Sequence, residues 1–451
     1  MASHTRTRDM TQGHPLRLIL SFGLPLLLGA CFQQIYGVVD TMVAGHYLGD
    51  HAIAAIGATS ALSMLLISLS SGLNSGYAIV VTRAFGSHRR EELRQSIAGM
   101  MMLNLASAVV LTALSLALLP SLLSWLNTPQ SIRADAHTYI AWICAGLGAT
   151  IAYNMFASIL NALGNSRSPL GFLILSSLLN IALDLLFVIG LDMGVGGAAL
   201  ATVIAQLVSA ISCGIYVFLR YRDFLPTRRD FHLSGNLFAS LTSMGLSMAL
   251  MICVVHIGSI IFQSSANTLG QTSIAAYAAA RRILGVMIQP IATMATALST
   301  FVGQNRGAGK MERIRTALRQ CMLVEVGWSV FAFLFALLFA PVMIRLITGT
   351  SDAQVLGGAV QCVNIQLALL PALAVLQCLR TTMQACGHKV VPVVSSCIEL
   401  GMKALAALWL IPAFGYIGVC ATEPVTWLIM AVFLAVVWFR LPESQKVPEG
   451  S

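Results

Sequence analysis

Twelve apolar runs, each long enough to cross a bilayer as a helix, limit this chain to one broad class of fold. A hydrocarbon core about 30 Å thick is spanned by roughly 20 helical residues. The predicted spans are residues 16–39, 52–76, 95–119, 136–160, 169–190, 196–219, 237–264, 273–301, 317–344, 355–379, 391–411 and 415–439. Only 10% of the residues are charged, whereas soluble domains carry about 25%. The sequence therefore predicts an all-α membrane protein with twelve transmembrane helices.

The basic residues indicate how these spans are oriented. Lys and Arg concentrate in alternate connections and near both termini, as they do on the cytoplasmic side of membrane proteins. The other connections hold only Arg133 and Arg345, and the inner group includes Arg380 and Lys389 after the tenth span. Both termini are therefore predicted to be cytoplasmic, in a plasma (inner) membrane. The same placement accounts for the net charge of +9, and we expect no nucleic-acid partner because no basic run is long enough to form a binding arm.

The two halves of the chain repeat one another at an offset of 221–223 residues. Four segments match in order: LGDHAIAA (48–55) with LGQTSIAA (269–276), RAFGSHRREELR (83–94) with QNRGAGKMERIR (304–315), LGNSRSP (163–169) with CGHKVVP (386–392), and GVGGAALAT (194–202) with GYIGVCAT (415–422). Four matches in one order at nearly one offset indicate an internal duplication.

The duplication predicts the domain organisation. Six spans per half bring both halves into the membrane from the same side, which makes the repeat parallel, about an axis along the membrane normal. The predicted parts are an amino-terminal six-helix lobe (1–219), a basic cytoplasmic linker (220–236), a carboxy-terminal six-helix lobe (237–440) and a cytoplasmic tail (441–451). Such repeats are typical of secondary transporters.

Acidic residues within the spans are the first candidates for function. Asp184 lies in the middle of span 5, where a charge costs about 2.5–3.5 kcal/mol on insertion scales. Asn180 precedes it by one helical turn, Asp40 lies deep in or at the end of span 1, and Thr202 lies near the start of span 6. Carboxylates with an amide and a hydroxyl offer hard oxygen ligands to Na⁺, and a buried carboxylate also holds a proton readily. The alternative is that Asp184 only makes a polar contact between helices.

Several motifs resemble the MATE (multidrug and toxic compound extrusion) transporters. IAAYAAARRILGVMIQP (274–290) and FVGQNRGAGKMERIR (301–315) are similar to the eighth helix and following loop of that family, and the first half carries QQIYGVVDTMVAGHYLG (33–49) and LNALGNSRSP (160–169). The resemblance covers nearly the whole chain. It implies two six-helix bundles around a V-shaped central cleft, and export of organic, often cationic and amphipathic compounds in exchange for Na⁺ or H⁺ by alternating access.

The resemblance also implies roles for particular residues. In MATE proteins that couple through the amino-terminal lobe (the DinF-like bacterial type), the matching elements supply the cation site, here Asp40, Asn180, Asp184 and Thr202. The repeat places Ile261, Lys403 and Ala407 opposite the first three, so the second lobe has not kept this site. By the same analogy Pro25 in span 1 is the expected hinge.

The second lobe has a polar set of its own. We expect a cluster drawn from His256, Arg282, Glu399, Lys403 and Glu423, with Arg281 as a further cation inside an apolar segment. Glu399 and Lys403 have the i,i+4 spacing of a helical ion pair. A structural pair is one interpretation, and a substrate or proton-relay role facing the cavity is the other.

Other functional classes find little support. QNRGAGKM (304–311) lacks the first Gly and final Ser or Thr of a phosphate loop, so we expect no nucleotide partner. No enzyme motif is present, and we expect no enzyme, no cofactor and no metal beyond Na⁺ at the site named above. The expected partners are a small drug-like molecule and the lipid bilayer, with a monomer as the working unit. A lipid or oligosaccharide flippase of the same superfamily is the alternative function.

Overall fold

The structure is a computed structural model, and it describes residues 7–125, 128–350 and 352–442, without the side chains of 35, 36, 38–44, 46, 50 and 125. Within these ranges the regular structure is helical and no strand occurs. The helices are α1 (Pro15–Gly86, two helices joined at a kink at Gly49), α2 (Arg90–Trp125), α3 (Arg133–Ala145), α4 (Leu147–Ala162), α5 (Arg167–Asp184), α6 (Gly194–Arg220), α7 (Gly235–Ala266), α8 (Gln271–Gly307), α9 (Met311–Thr348), α10 (Ala353–Ala368), α11 (Leu370–Cys386), α12 (Val390–Leu405), α13 (Ile411–Phe414) and α14 (Tyr416–Arg440).

The number of spans agrees with the sequence prediction once the bent helices are considered. Ten helical segments of the described residues are long and apolar enough to cross a membrane, and two bent pairs bring the number to twelve if each pair is one span. The pairs are α3 with α4, bent by 41°, and α10 with α11, bent by 48°. They cover predicted spans 4 and 10. The second pair continues to Cys386, beyond the predicted end at residue 379.

The internal repeat is visible in the backbone. Left-handed conformations, which favour glycine, recur at the predicted offset: φ is 76° at Gly49 and 89° at Gly270, 58° at His88 and 71° at Gly309, 83° at Gly164 and 100° at Gly387, and 60° at Gly194 and 57° at Gly415. The two bent pairs also occupy equivalent positions. The matched sequence segments are therefore the places where both halves turn, and the twofold repeat of the fold is confirmed.

The chain divides into two compact units whose boundaries fall inside helices. The first unit comprises Met1–Asp9 and Leu24–Ala249, and the second comprises Met10–Gly23 and Leu250–Ser451. The start of α1 thus groups with the second unit, and the start of α7 with the first. The lobe limits at residues 219 and 237 remain predictions from the sequence.

The family-like loop after α8 has a structural role within the second unit. Gln304 accepts a hydrogen bond from the amide of Met10 (2.8 Å), and Asn305 and Arg313 donate to the Met10 carbonyl (3.2 and 3.1 Å). Lys310 donates to the carbonyl of Thr11 (2.9 Å). These side chains hold the segment that leads into α1, which explains why a polar motif follows an apolar helix here.

Candidate functional site

The buried face of α5 is polar, which is the reverse of a helix in a soluble protein. Apart from Pro169, the buried residues of α5 are Ser176, Ser177, Asn180 and Asp184. Asn180 is 2% exposed and Asp184 is 1% exposed, while leucines such as Leu178 (57%) are exposed. A helix in lipid gains little by hiding its leucines, so its polar side chains face the protein.

Helix α6 is suited to receive this polar face because it presents small residues. Alanine and glycine allow two helix backbones to approach closely, and α6 buries Ala198, Ala201 and Ala205. Side-chain hydrogen bonds join the two helices. The Ser176 hydroxyl donates to the carbonyl of Ala205 (3.1 Å), the Ser209 hydroxyl donates to the carbonyl of Phe172 (2.9 Å), and the Asn180 amide donates to the Thr202 hydroxyl (3.4 Å).

The helix changes its winding directly after Asp184. Residues Leu185–Gly190 form a π-helical segment, and such segments are rare and frequently found at functional sites. The equivalent point of the second unit also carries one, at Ala406–Leu410. Neither segment was predicted from the sequence, because a one-residue change in winding leaves the apolar run unbroken.

Of the four residues predicted to bind the coupling cation, the structure places three together. Asn180 and Asp184 are buried on one face of α5, and Thr202 on α6 accepts the Asn180 hydrogen bond. Thr202 in turn donates to the carbonyl of Ala198 (3.1 Å). The fourth, Asp40, lies in α1, but its side chain is outside the described residues, so its part in the site stays a prediction.

In the second unit Glu399 and Lys403 form the ion pair expected from their spacing. Lys403 Nζ lies 2.8 Å from Glu399 Oε1 and donates to the hydroxyl of Ser259 on α7 (3.0 Å). Arg380 Nη2 of α11 lies 3.9 Å from Glu399 Oε2. Two buried cations, with side chains 5% and 8% exposed, therefore share one carboxylate. Arg380 was expected in a cytoplasmic connection, and it instead lies buried within a helix.

The other residues of the predicted second-lobe cluster lie on α7, α8 and α14. Glu423 on α14 pairs with Arg281 on α8, with Arg281 Nη1 3.2 Å from Glu423 Oε1. The Arg281 side chain is 53% exposed and that of Glu423 is 13% exposed, and Arg282 is also exposed. The roles of these residues stay predictions. His256 lies half-buried on α7, three residues before Ser259.

Comparison with known proteins decides the family. A family model, MatE, matches this chain over residues 25–186 and 247–409. This chain belongs to the MATE family. The two matched segments begin and end at nearly the offset of the internal repeat, so the MATE unit is itself the duplicated unit. The family consists of transporters, which is consistent with the expectation that the chain is not an enzyme.

Individual relatives extend the match to most of the chain. A Bacillus subtilis protein named probable multidrug resistance protein YpnP is 27% identical over 359 residues, 77% of this chain and 78% of the relative. A Shewanella oneidensis protein named FAD transporter is 23% identical over 428 residues, 92% of each chain. A crystal structure of a MATE protein in complex with MaL6 is 24% identical and superimposes with a TM-score of 0.89, covering 98% of this chain and 99% of that one. The MATE fold of this chain is thereby established.

Proposed function

We propose that this MATE transporter exports organic compounds from the cytoplasm in exchange for H⁺ or Na⁺, with both of its termini in the cytoplasm. The observation that carries the proposal is the burial of Asp184 one helical turn from Asn180, whose amide donates to the hydroxyl of Thr202. A carboxylate in this position is costly in a membrane helix, and a coupling cation gives it a use that a hydrophobic residue would not provide.

The coupling would follow from the chemistry of these side chains. A proton or Na⁺ at Asp184 removes a buried negative charge, with Asn180 and Thr202 supplying neutral oxygens and Asp40 the second carboxylate. An ion drives a conformational change only through different affinities for the two states. We infer that cation binding favours one state of the first unit and substrate binding favours the other, which yields alternating access.

The substrate proposal follows the relatives. The Bacillus relative is named for multidrug resistance, which supports amphipathic organic compounds, often cationic. A second candidate is an anionic organic phosphate such as a flavin nucleotide, because a relative spanning 92% of this chain is named an FAD transporter. The surplus positive charge of Arg380 and Lys403 around Glu399 favours this second class.

The experiment is transport by the purified protein in liposomes. A Na⁺ gradient and a pH gradient are imposed separately, without ATP, and ethidium uptake is followed for wild type and Asp184→Asn. Asp192→Asn is the matched control, since Asp192 is exposed in the turn before α6 and its φ of 49° is one that Asn adopts readily. We expect wild type and the control to transport, and Asp184→Asn to lose uptake at least tenfold.

The outcomes separate the alternatives. The gradient that works names the coupling ion. Uptake unchanged in Asp184→Asn would assign that residue to a structural polar contact. Uptake of FAD but not of ethidium would favour the anionic substrate class. If neither is transported under either gradient, a lipid-scrambling assay on the same liposomes would test the flippase alternative.

A further inference from the structure

A groove of about 480 Å³ opens on the surface of the second unit, between the start of α9 and the end of α14. Its walls are almost entirely apolar and include Leu323 and Phe439, which are 65% and 74% exposed. At the end nearest the start of α9 lie Arg315 and Arg319, one helical turn apart. The groove thus joins an apolar channel to a pair of cations.

We propose that this groove, defined by Arg315, Arg319, Leu323 and Phe439, binds one anionic phospholipid of the cytoplasmic leaflet. Basic pockets between helices on the cytoplasmic side are suited to anionic headgroups, and guanidinium groups match phosphate geometry. The phosphate lies between the two arginines. One acyl chain follows α9 along Leu323 and Val326, while Trp438 near the end of α14 forms the wall at headgroup depth.

The internal repeat provides a comparison groove that lacks the headgroup site. A groove of about 370 Å³ in the first unit is lined by Met101, Met102 and Leu105, the repeat equivalents at offset 221 of three residues lining the second-unit groove. At this offset Ala98 takes the place of Arg319.

The first-unit equivalent of Arg315 does not line the comparison groove. Arg94, the equivalent of Arg315, donates from Nη2 and Nε to the backbone carbonyl of Asp223 (2.9 and 3.2 Å). The apolar wall formed by α9 therefore recurs on α2 of the first unit, but the paired arginines line only the second groove. This difference points to an anionic headgroup rather than to acyl chains alone.

The test is native mass spectrometry of the whole transporter in detergent, titrated with phosphatidylglycerol or phosphatidylethanolamine of identical chains. We expect one retained phosphatidylglycerol, with apparent affinity about 30-fold above that of phosphatidylethanolamine, the ratio expected for two interfacial cations. Arg315→Gln combined with Arg319→Gln should remove this preference. Arg89→Gln combined with Arg90→Gln is the control, since these arginines are exposed at the start of α2.

A single substitution keeps the test interpretable if the double glutamine variant fails to fold. Arg319 is exposed, so Arg319→Gln alone should fold and should lose part of the preference. Leu323→Trp fills the apolar channel and should weaken both lipids while leaving the arginines in place. Equal retention of both lipids by wild type, or an unchanged preference in the double glutamine variant, would overturn the proposal.

Discussion

At the scale of single residues, the charge cluster around Glu399 is the clearest case of electrostatics inside the apolar bundle. Lys403 and Arg380 are both buried, and Glu399 is the carboxylate between them. Removing one partner of a buried pair costs about 3–5 kcal/mol when it leaves a charge uncompensated. Substitution of each of the three residues should therefore lower the stability of the transporter by a different amount.

We predict that Glu399→Gln destabilises the transporter more than Lys403→Met. The glutamine variant leaves two buried cations without a carboxylate, and the methionine variant leaves one cation facing one anion. The expected loss for Glu399→Gln is about 3 kcal/mol, read as a lower thermal midpoint in detergent. Glu312→Gln is the control, because Glu312 is exposed in the first turn of α9 and exposed charges contribute about 1 kcal/mol or less. A greater loss in Lys403→Met would show that Glu399 is not the neutralising group.

This cluster also shows how far single residues can be predicted from the sequence. Glu399 and Lys403 were predicted as a pair because the i,i+4 spacing alone brings them together on a helix. The burial of Arg380 was not predicted. An arginine at the end of an apolar run, followed by Lys389 in the same basic region, is typical of a cytoplasmic connection. Only the continuation of α11 to Cys386 places it within the bundle.

At the scale of elements, the linker between the two halves contains a short 3₁₀ helix, Arg228–Phe231, fixed by one carboxylate. Asp230 accepts hydrogen bonds from the amide and the hydroxyl of Thr227 (2.6 and 2.7 Å). The pKa of Asp230 lies below its usual value. The hydrogen bond from the Thr227 amide lowers it most, followed by the bond from the Thr227 hydroxyl and the positive charge of Arg94. Because the folded linker lowers this pKa, the carboxylate stabilises the turn above the unfolded pKa, and that stabilisation is lost as pH falls through the folded value.

We predict that the Thr227 amide is protected from hydrogen exchange at neutral pH and remains so down to about pH 4, the usual pKa of aspartate. Protection should then disappear at lower pH, after correction for the intrinsic exchange rate. Asp230→Ala should remove it at every pH. Asp223→Ala is the control, since Arg94 bonds only the backbone carbonyl of Asp223. Equal protection in wild type and Asp230→Ala would refute this function of the carboxylate.

The elements also show why the repeat was readable from the sequence and the winding of the helices was not. Gly49 and Gly270 both lie in LG dipeptides and both have positive φ. Positive φ favours glycine, so these turns can be recognised in the sequence. The π-helical segments after α5 and α12 cannot be recognised in this way. Their apolar residues meet lipid in either winding, so the hydrophobic pattern of spans 5 and 11 is unchanged.

At the scale of the whole molecule, the division of the chain into units runs through α1. Residues 10–23 belong to the second unit and the helix joins the first unit at Leu24. Pro25 lies inside α1, immediately after this point. Proline has no amide hydrogen for the carbonyl four residues earlier, and its ring disturbs that turn. The turn of α1 that Pro25 weakens therefore coincides with the point where the chain passes from the second unit to the first, which supports the expectation that Pro25 is a hinge.

We predict that Pro25→Ala slows gradient-driven transport at least tenfold while substrate affinity in the absence of a gradient changes less than threefold. Alanine restores the missing backbone hydrogen bond and stiffens the turn, so conversion between states slows although the binding residues are untouched. The measurements are the initial rate of uptake in liposomes and the dissociation constant of the same substrate in detergent. Pro341→Ala is the matched control: Pro341 also lies inside a long helix, α9, but that helix lies wholly within the second unit. A hinge predicts that only the Pro25 variant slows, whereas an equal effect at both prolines would mean that helix stiffness in general limits transport and that the passage between units has no special part in it.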